Sequence, residues 1–321
     1  MNQTITAISG LESGHYTDTQ NATGCTVFLC RDGAVGGVDV RGGSPGTRET
    51  DLLRPVHRID QVHAVVLSGG SAYGLDAASG VMAYLESQDI GYKVGSAIVP
   101  IVSSAILYDL GLITSEVRPG FEDGRNAALL ASSEPMIEGS VGAGTGATVA
   151  KLGGAGRGVK GGIGTSVMTL STGQSVAAAV AVNAVGGIWD YNNGRLLAGP
   201  RRASGGFDDP VAMLLKGADD SPSGPVNTTI GLVATDAKLT KEDTNYLARV
   251  SHDGLALTIR PCHTVRDGDT MFALATGHHD AKLDLIALGA AAVEVTAQAV
   301  IRAIRQATGL GGIPSVNELS S

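Results

Sequence analysis

The sequence predicts a layered α+β domain, on three observations. Strand-like and helix-like segments fall into blocks instead of alternating strictly, which favours layered sheets over a doubly wound parallel sheet. Glycine supplies 46 of 321 residues while aromatics make up only 4%, and that glycine share is about twice the usual frequency. A core rich in glycine and alanine lets backbones approach closely, as stacked sheets and helices require. Hydrophobic residues reach 43% against 17% charged, which excludes a disordered chain. A chain of this length buries most of its unfolded surface, so residues 1–321 are expected to form a single domain.

The elements follow in order. "TGCTVFLC" (23–30) and "AVGGVDVR" (34–41) are β-like runs separated by "RDG", a spacing that predicts a hairpin. "VHAVVLSGG" (62–70) is a strand ending in glycines, and "LDAASGVMAYLES" (75–87) has helical periodicity. "SAIVPIVSSAILYDL" is apolar and β-rich, and "DGRNAALLASS" is a helix with Asp123 near its cap. "SVAAAVAVNAVGGIWD" is a buried strand interrupted at Asn183, followed by the hairpin signal Asn193-Gly194. A strand over 229–235, a helix over about 240–259, a strand over 269–276 and a long alanine-rich helix over about 282–308 close the chain.

Several functions are disfavoured. Net charge is −8 and the basic residues are scattered, which argues against nucleic acid or an anionic membrane as partner. Cys25, Cys30 and Cys262 form no C-x-x-C pair and are odd in number, a pattern of reducing compartments. The N-terminus lacks the basic and apolar regions of a secretory signal. No uninterrupted apolar run reaches the roughly 18 residues of a membrane span; the longest, 176–189, is broken by Asn183 and stopped by Asp190. A cytoplasmic protein is expected.

The glycine-rich "GAGTGATVAKLGG" offers Gly142-x-Gly144 but no acidic residue about 20 positions on and no G-K-[ST], so a dinucleotide site or P-loop is disfavoured. A loop whose backbone closely approaches another group fits better, with Lys151 just beyond it. "LSGGSAYGLDAA" sets Ser71 between strand and helix, but without G-x-S-x-G spacing; a tight turn is the plainer reading. His278 and His279 are adjacent and would point to opposite faces of a strand, and His57, His63 and His263 are scattered, so no structural metal is expected. Asp267 and Asp269 flank Gly268 just before a strand; extended, both carboxylates can face one side and hold an amine.

"PVNTTIGLVATDA" (225–237) poses the sharpest question. A threonine hydroxyl is a poor nucleophile unless a base is at hand, and the α-amine of the same residue can serve, with a pKa of about 7.7–8.0. That amine exists only if the chain is cut between Asn227 and Thr228. Asn183, a polar amide at a strand break, could then donate to an oxyanion. Any strand-leading threonine satisfies so general a description.

In combination, "LSGGSAYGLDAA", "VSSAILYD", "GAGTGATVAK", "VNAVG", "NTTIGLVATD" and "HTVRDGDTMFALAT" resemble, in this order and over most of the chain, the self-processing N-terminal-nucleophile hydrolases of the DmpA-type aminopeptidase family. That family includes β-peptidyl aminopeptidases and the endo-type nylon-oligomer (6-aminohexanoate oligomer) hydrolase. The resemblance implies a four-layer αββα sandwich and a precursor that cuts itself into an α chain, 1–227, and a β chain, 228–321. It implies Asn227 as donor of the cleaved carbonyl, Thr228 as nucleophile and Asn183 as oxyanion amide. Lys151 becomes a catalytic helper, and Asp267 with Asp269 orient the new amine. Tyr108, Ser71 and Gly144 are assigned to the substrate pocket. It further implies a peptide or oligoamide substrate, a homotetramer or related oligomer, and no metal or cofactor. β-Peptidyl aminopeptidases usually carry serine after glycine and a Ser/Glu pair in place of the two aspartates. The Asn-Thr junction and Asp-Gly-Asp pair look more like the nylon-oligomer hydrolase. A strict aminopeptidase, an acyltransferase using the same nucleophile, and an inactive binding protein stay open as alternatives.

Overall fold

The computed structural model describes residues 2–217 and 227–319. The elements that build the site are β1 (Glu12–Asp18), β2 (Thr23–Val40), β3 (Gln61–Ser68), α1 (Ala77–Glu86), β4 (Val102–Ile106), α2 (Phe121–Leu129), β5 (Gly162–Thr169), β6 (Ser175–Asn183), β7 (Thr228–Ala237), α3 (Lys241–Thr258), β8 (Thr270–His279) and α4 (Leu285–Arg305). Hydrogen bonding runs β5-β6-β7-β8-β2-β3-β4, with β1 on β2. The pairs β7–β8 and β3–β4 are parallel and the other main pairs antiparallel.

Alternation along the strands divides this surface into two stacked layers. Val176, Ala178, Val180 and Val182 of β6 pack with Leu247 and Leu255 of α3 and Leu288 and Val295 of α4. The intervening Ala177, Ala179 and Ala181 face inward, into a core shared with Phe28, Val65, Leu67 and Phe272. Beyond that core, Val27 and Leu29 of β2 and Val66 of β3 turn outward onto Ala77 and Val81 of α1 and Ala127 of α2. The order is therefore helix, sheet, sheet, helix, the αββα sandwich. Alanine fills the inner face of β6 and recurs along α4, which helps a core with few aromatics to close.

One expected hairpin is absent. Residues 23–40 form a single long strand, β2, with its bulge where the turn was expected: pairing with β3 jumps from Leu29–Ala64 to Ala34–Val62. Gly33 takes φ +79° there, a conformation that costs glycine little. The second half of β2, Val35–Val40, instead joins β8. The kink lets one strand serve both layers, a gain in long-range pairing that the local "RDG" signal cannot report.

Side-chain caps mark where the helices start. Thr240 Oγ1 accepts the Asp243 N–H at 3.2 Å at the head of α3, and Asp284 Oδ1 accepts the Ile286 and Ala287 N–H groups at 3.1 and 3.0 Å at the head of α4. Asp123 sits one turn inside α2 and caps it in reverse, accepting the Gly120 N–H at 2.9 Å. By length and composition alone α4 could cross a membrane; here its apolar face is buried against the sheet.

Candidate active site

Topology gathers the site at one end of the sheet. The strand β6 runs antiparallel to β7, so its last residue, Asn183, lies opposite Thr228, the first residue of β7. The strand β8 runs parallel to β7, so the segment leading into it, Asp267-Gly268-Asp269, arrives at the same end. Asn227 forms a parallel bridge with Asp267. Three stretches far apart in sequence thus meet because one strand ends where two begin.

The two aspartates hold different partners. Asp269 Oδ1 accepts the Thr229 N–H at 2.7 Å, and its Oδ2 accepts the His263 N–H at 2.9 Å and contacts His263 Nδ1 at 2.8 Å. Asp267 Oδ2 accepts the Thr264 N–H at 2.8 Å and its hydroxyl at 2.5 Å. Burial, reinforced by the neighbouring Asp269, pushes Asp267 up to about 6, against the pull of the Thr264 bonds and Lys151. Burial disfavours a charge on His263, but Asp269 first and Cys262 second override it and raise the imidazole to about 10. The His252 ring meets His263 edge-on at 4.8 Å, and burial pulls His252 down to about 4. A neutral imidazole therefore backs a charged one.

Asn183 is fully buried with its side chain committed on both ends. Its Oδ1 accepts the Thr148 N–H at 3.0 Å and Lys151 Nζ at 2.9 Å, and its Nδ2 donates to Tyr108 O at 2.9 Å. An amide nitrogen carries two N–H groups, so that last bond uses one of them. Lys151 Nζ also donates to Asn183 O at 3.1 Å. Burial lowers Lys151 to about 7, with Asp267 and Asp109 opposing the shift. Ala150, just before it, adopts φ +57°, a strain of about 1–3 kcal/mol of the kind kept at functional sites.

Tyr108, Asp109, Leu112, Thr148, Lys151 and Ile313 line a cavity of about 400 Å³, within the size range of small-molecule sites. Asp109 is held by the Thr23 hydroxyl and the Gly70 N–H, each at 2.7 Å, and burial raises its carboxyl above the usual range. Thr228 is itself almost fully buried, and its hydroxyl donates to the carbonyl oxygen of Asn227. The Asn227 side-chain amide is buried and finds no hydrogen-bond partner among the described residues.

The fold thus brings Thr228, Asn183, Lys151, Asp267, Asp269 and Asn227 together, with Tyr108 joined through Asn183. Pro225 and Val226 of "PVNTTIGLVATDA" lie outside the described residues. Ser71 and Gly144 do not line that cavity. Ser71, at φ +53°, donates its N–H to Leu107 O at 3.0 Å. Gly144 is buried beneath the loop with its carbonyl on Lys160, while Gly146 lines the cavity. Sequence reasoning dismissed His263 as scattered, although it opens "HTVRDGDTMFALAT" six residues before Asp269, and passed over Asp109, which neighbours Tyr108. Among the described residues, no three His, Cys, Asp or Glu side chains gather as a metal site.

Residues 3–316 match peptidase family S58. This chain belongs to that family. It is 40% identical over 97% of its length to an uncharacterized aminopeptidase of Mycobacterium leprae, of which it covers 92%. It is 31% identical to a 6-aminohexanoate-oligomer endohydrolase of Kocuria sp., over 91% of this chain and 83% of that one. Among solved structures, the L-aminopeptidase D-Ala-esterase/amidase of Ochrobactrum anthropi superposes with a TM-score of 0.73 at 21% identity, covering 98% of this chain and 88% of that one. A Burkholderia sp. β-aminopeptidase gives 0.70 at 22% identity, covering 100% and 93%. Both likenesses concern the fold, a variant of the N-terminal-nucleophile hydrolase architecture. The protein is a peptide or amide hydrolase of this S58, DmpA-type group.

Proposed function

We propose that this hydrolase cuts its own chain between Asn227 and Thr228, and that the freed Thr228 then cleaves amide bonds in peptides or linear oligoamides. One observation carries the reading: the Thr228 hydroxyl rests on the carbonyl of the bond to be broken, inside a ring made by Asn183, Lys151, Asp267 and Asp269. The unpartnered amide of Asn227 supports it further, because a buried polar group left unpaired costs about 1–3 kcal/mol, and cleavage lets that residue move away.

In the mature enzyme the Thr228 amine becomes available as base, with an ordinary pKa of about 7.7–8.0. Asp269, already bonded to the next N–H along, and Asp267 stand where a new ammonium needs carboxylates. Lys151, lowered to about 7, can hold or release a proton near neutrality. The hydroxyl adds to a substrate carbonyl; the second N–H of Asn183 Nδ2 is available to the oxyanion. The amine product departs, and water hydrolyses the acyl-threonine ester. The endohydrolase relative supports internal amides as substrates. The aminopeptidase relatives favour a second reading, removal of N-terminal residues.

Denaturing electrophoresis with N-terminal sequencing tests the first claim. Two bands are expected, the smaller starting "TTIGL", with Thr228→Ala remaining one inactive chain. An intact wild-type chain with full activity overturns it. Oligoamides blocked at the amino end separate the two substrate readings, since only internal cleavage consumes them.

A further inference from the structure

The carbonyl that self-cleavage must attack already holds a backbone donor. Asn227 O accepts the Gly268 N–H at 3.2 Å, and the Thr228 hydroxyl contacts the same oxygen. The peptide unit that supplies this N–H is clamped at its other end, where Asp267 O accepts the Ser44 N–H at 2.8 Å. A planar peptide fixed at its oxygen cannot swing its N–H away without losing that bond. On either side, the Asp267 N–H is on Thr264 O at 3.1 Å and Gly268 O accepts the Thr270 hydroxyl at 3.0 Å. Glycine is required by proximity: a Cβ here would stand 2.8 Å from Ser44 O and 2.9 Å from Thr228 Oγ1.

Asn183 approaches from the opposite flank. It belongs to β6, whereas Gly268 leads into β8, and β7 runs between them. The Asn183 amide is tied to Thr148, Lys151 and Tyr108, which all line the cavity. Asn227 O is tied to the β8 side.

Building on the self-cleavage reading above, we propose that the Gly268 N–H is the oxyanion donor of self-cleavage, and that the Asn183 amide serves amide turnover alone. One nucleophile then works with two oxyanion donors in succession. In the first reaction Thr228 Oγ1 bonds to the Asn227 carbonyl carbon, and the oxygen that gains charge lies against the Gly268 N–H. The carbon–nitrogen bond breaks, and the proton lost by the hydroxyl ends on the departing Thr228 nitrogen. Water splits the resulting ester, leaving the Asn227 carboxylate and the free threonine. Departure of the Asn227 chain end frees the Gly268 donor when the substrate pocket comes into use.

The test replaces Gly268 by glycolic acid in cell-free translation, which removes the N–H and adds no side chain. Self-cleavage is followed by gel against time. The ester variant should cleave roughly 10²–10³-fold more slowly, the usual effect of losing one oxyanion donor. In parallel, Asn183→Ala should be cut to completion while losing amide turnover. An ester variant that cleaves at the wild-type rate overturns the assignment. So does an Asn183→Ala chain that melts cooperatively yet stays uncut. A wild-type chain that is never cut overturns self-cleavage itself, and this assignment with it.

Discussion

Lys151 and Lys160 are both enclosed by protein, and burial pulls both down to about 7. Their surroundings differ. Lys160 Nζ lies 3.0 Å from Gly144 O, 2.8 Å from Ala147 O and 2.8 Å from Gly161 O. Three backbone acceptors match the three donors of an ammonium, and the arrangement closes the glycine-rich loop on itself. Lys151 Nζ donates to both the carbonyl and the side chain of Asn183, and Lys151 borders the cavity. A lowered pKa records enclosure in both cases. Reach distinguishes them: only Lys151 stands where a substrate can enter.

Substitution breaks the comparison in a definite order. Lys151→Met should cost the most, about 10²–10⁴-fold in kcat/KM if the amine moves a proton, with a melting temperature close to wild type. The wild-type rate should climb as pH rises through about 7–8, where Lys151 and then the Thr228 amine lose their protons, and a pH–rate profile reads that limb. Lys160→Met should act on the other axis. It strips a donor from three carbonyls, two of which keep a backbone partner, and should lower stability by about 2–4 kcal/mol. Denaturant unfolding measures this, and turnover per folded molecule should stay within a few-fold.

Two smaller effects concern the aspartates. His263→Gln removes a charge-assisted bond to Asp269 and should cost about 1.5–3 kcal/mol. The folded imidazole titrates near 10, above the ordinary 6.5. Its contribution is therefore complete below pH 6.5 and disappears as pH rises through 10; unfolding curves at pH 6 and 10.5 separate the two limits. Asp267→Asn should raise stability by about 1–2 kcal/mol at pH 7. The carboxyl titrates near 6 when folded against an ordinary 3.8, so its ionised form opposes folding at neutral pH. The variant's advantage should vanish below pH 4.

Much of the fold was legible. The helices expected over about 240–259 and 282–308 match α3 and α4 to within a few positions, and the polar Asn183 marked the end of β6. The joining of residues 23–40 into one strand was not legible, because its cause is pairing with β8, far along the chain. The candidate site was legible only through the order of its motifs, since a lone lysine or a strand-leading threonine has many plainer uses. His263 looked isolated because its contact with Asp269 is made by a turn. Lys160 gave no signal, as its partners are carbonyl oxygens that every residue carries.

Residue identity alone determined the chemistry on offer: a threonine that could become an N-terminus, an amide at a strand break, two acids around a glycine, and a core of small side chains. Tertiary structure decided which of these meet. Antiparallel β6 ends at Thr228 and parallel β8 begins beside it, so the amide and the acids reach the nucleophile from opposite flanks. Strand direction comes from how the layers pack across the whole chain, and short-range sequence patterns carry no record of it. The Gly268 N–H on the Asn227 carbonyl belongs wholly to that level, being a backbone group placed by its neighbours.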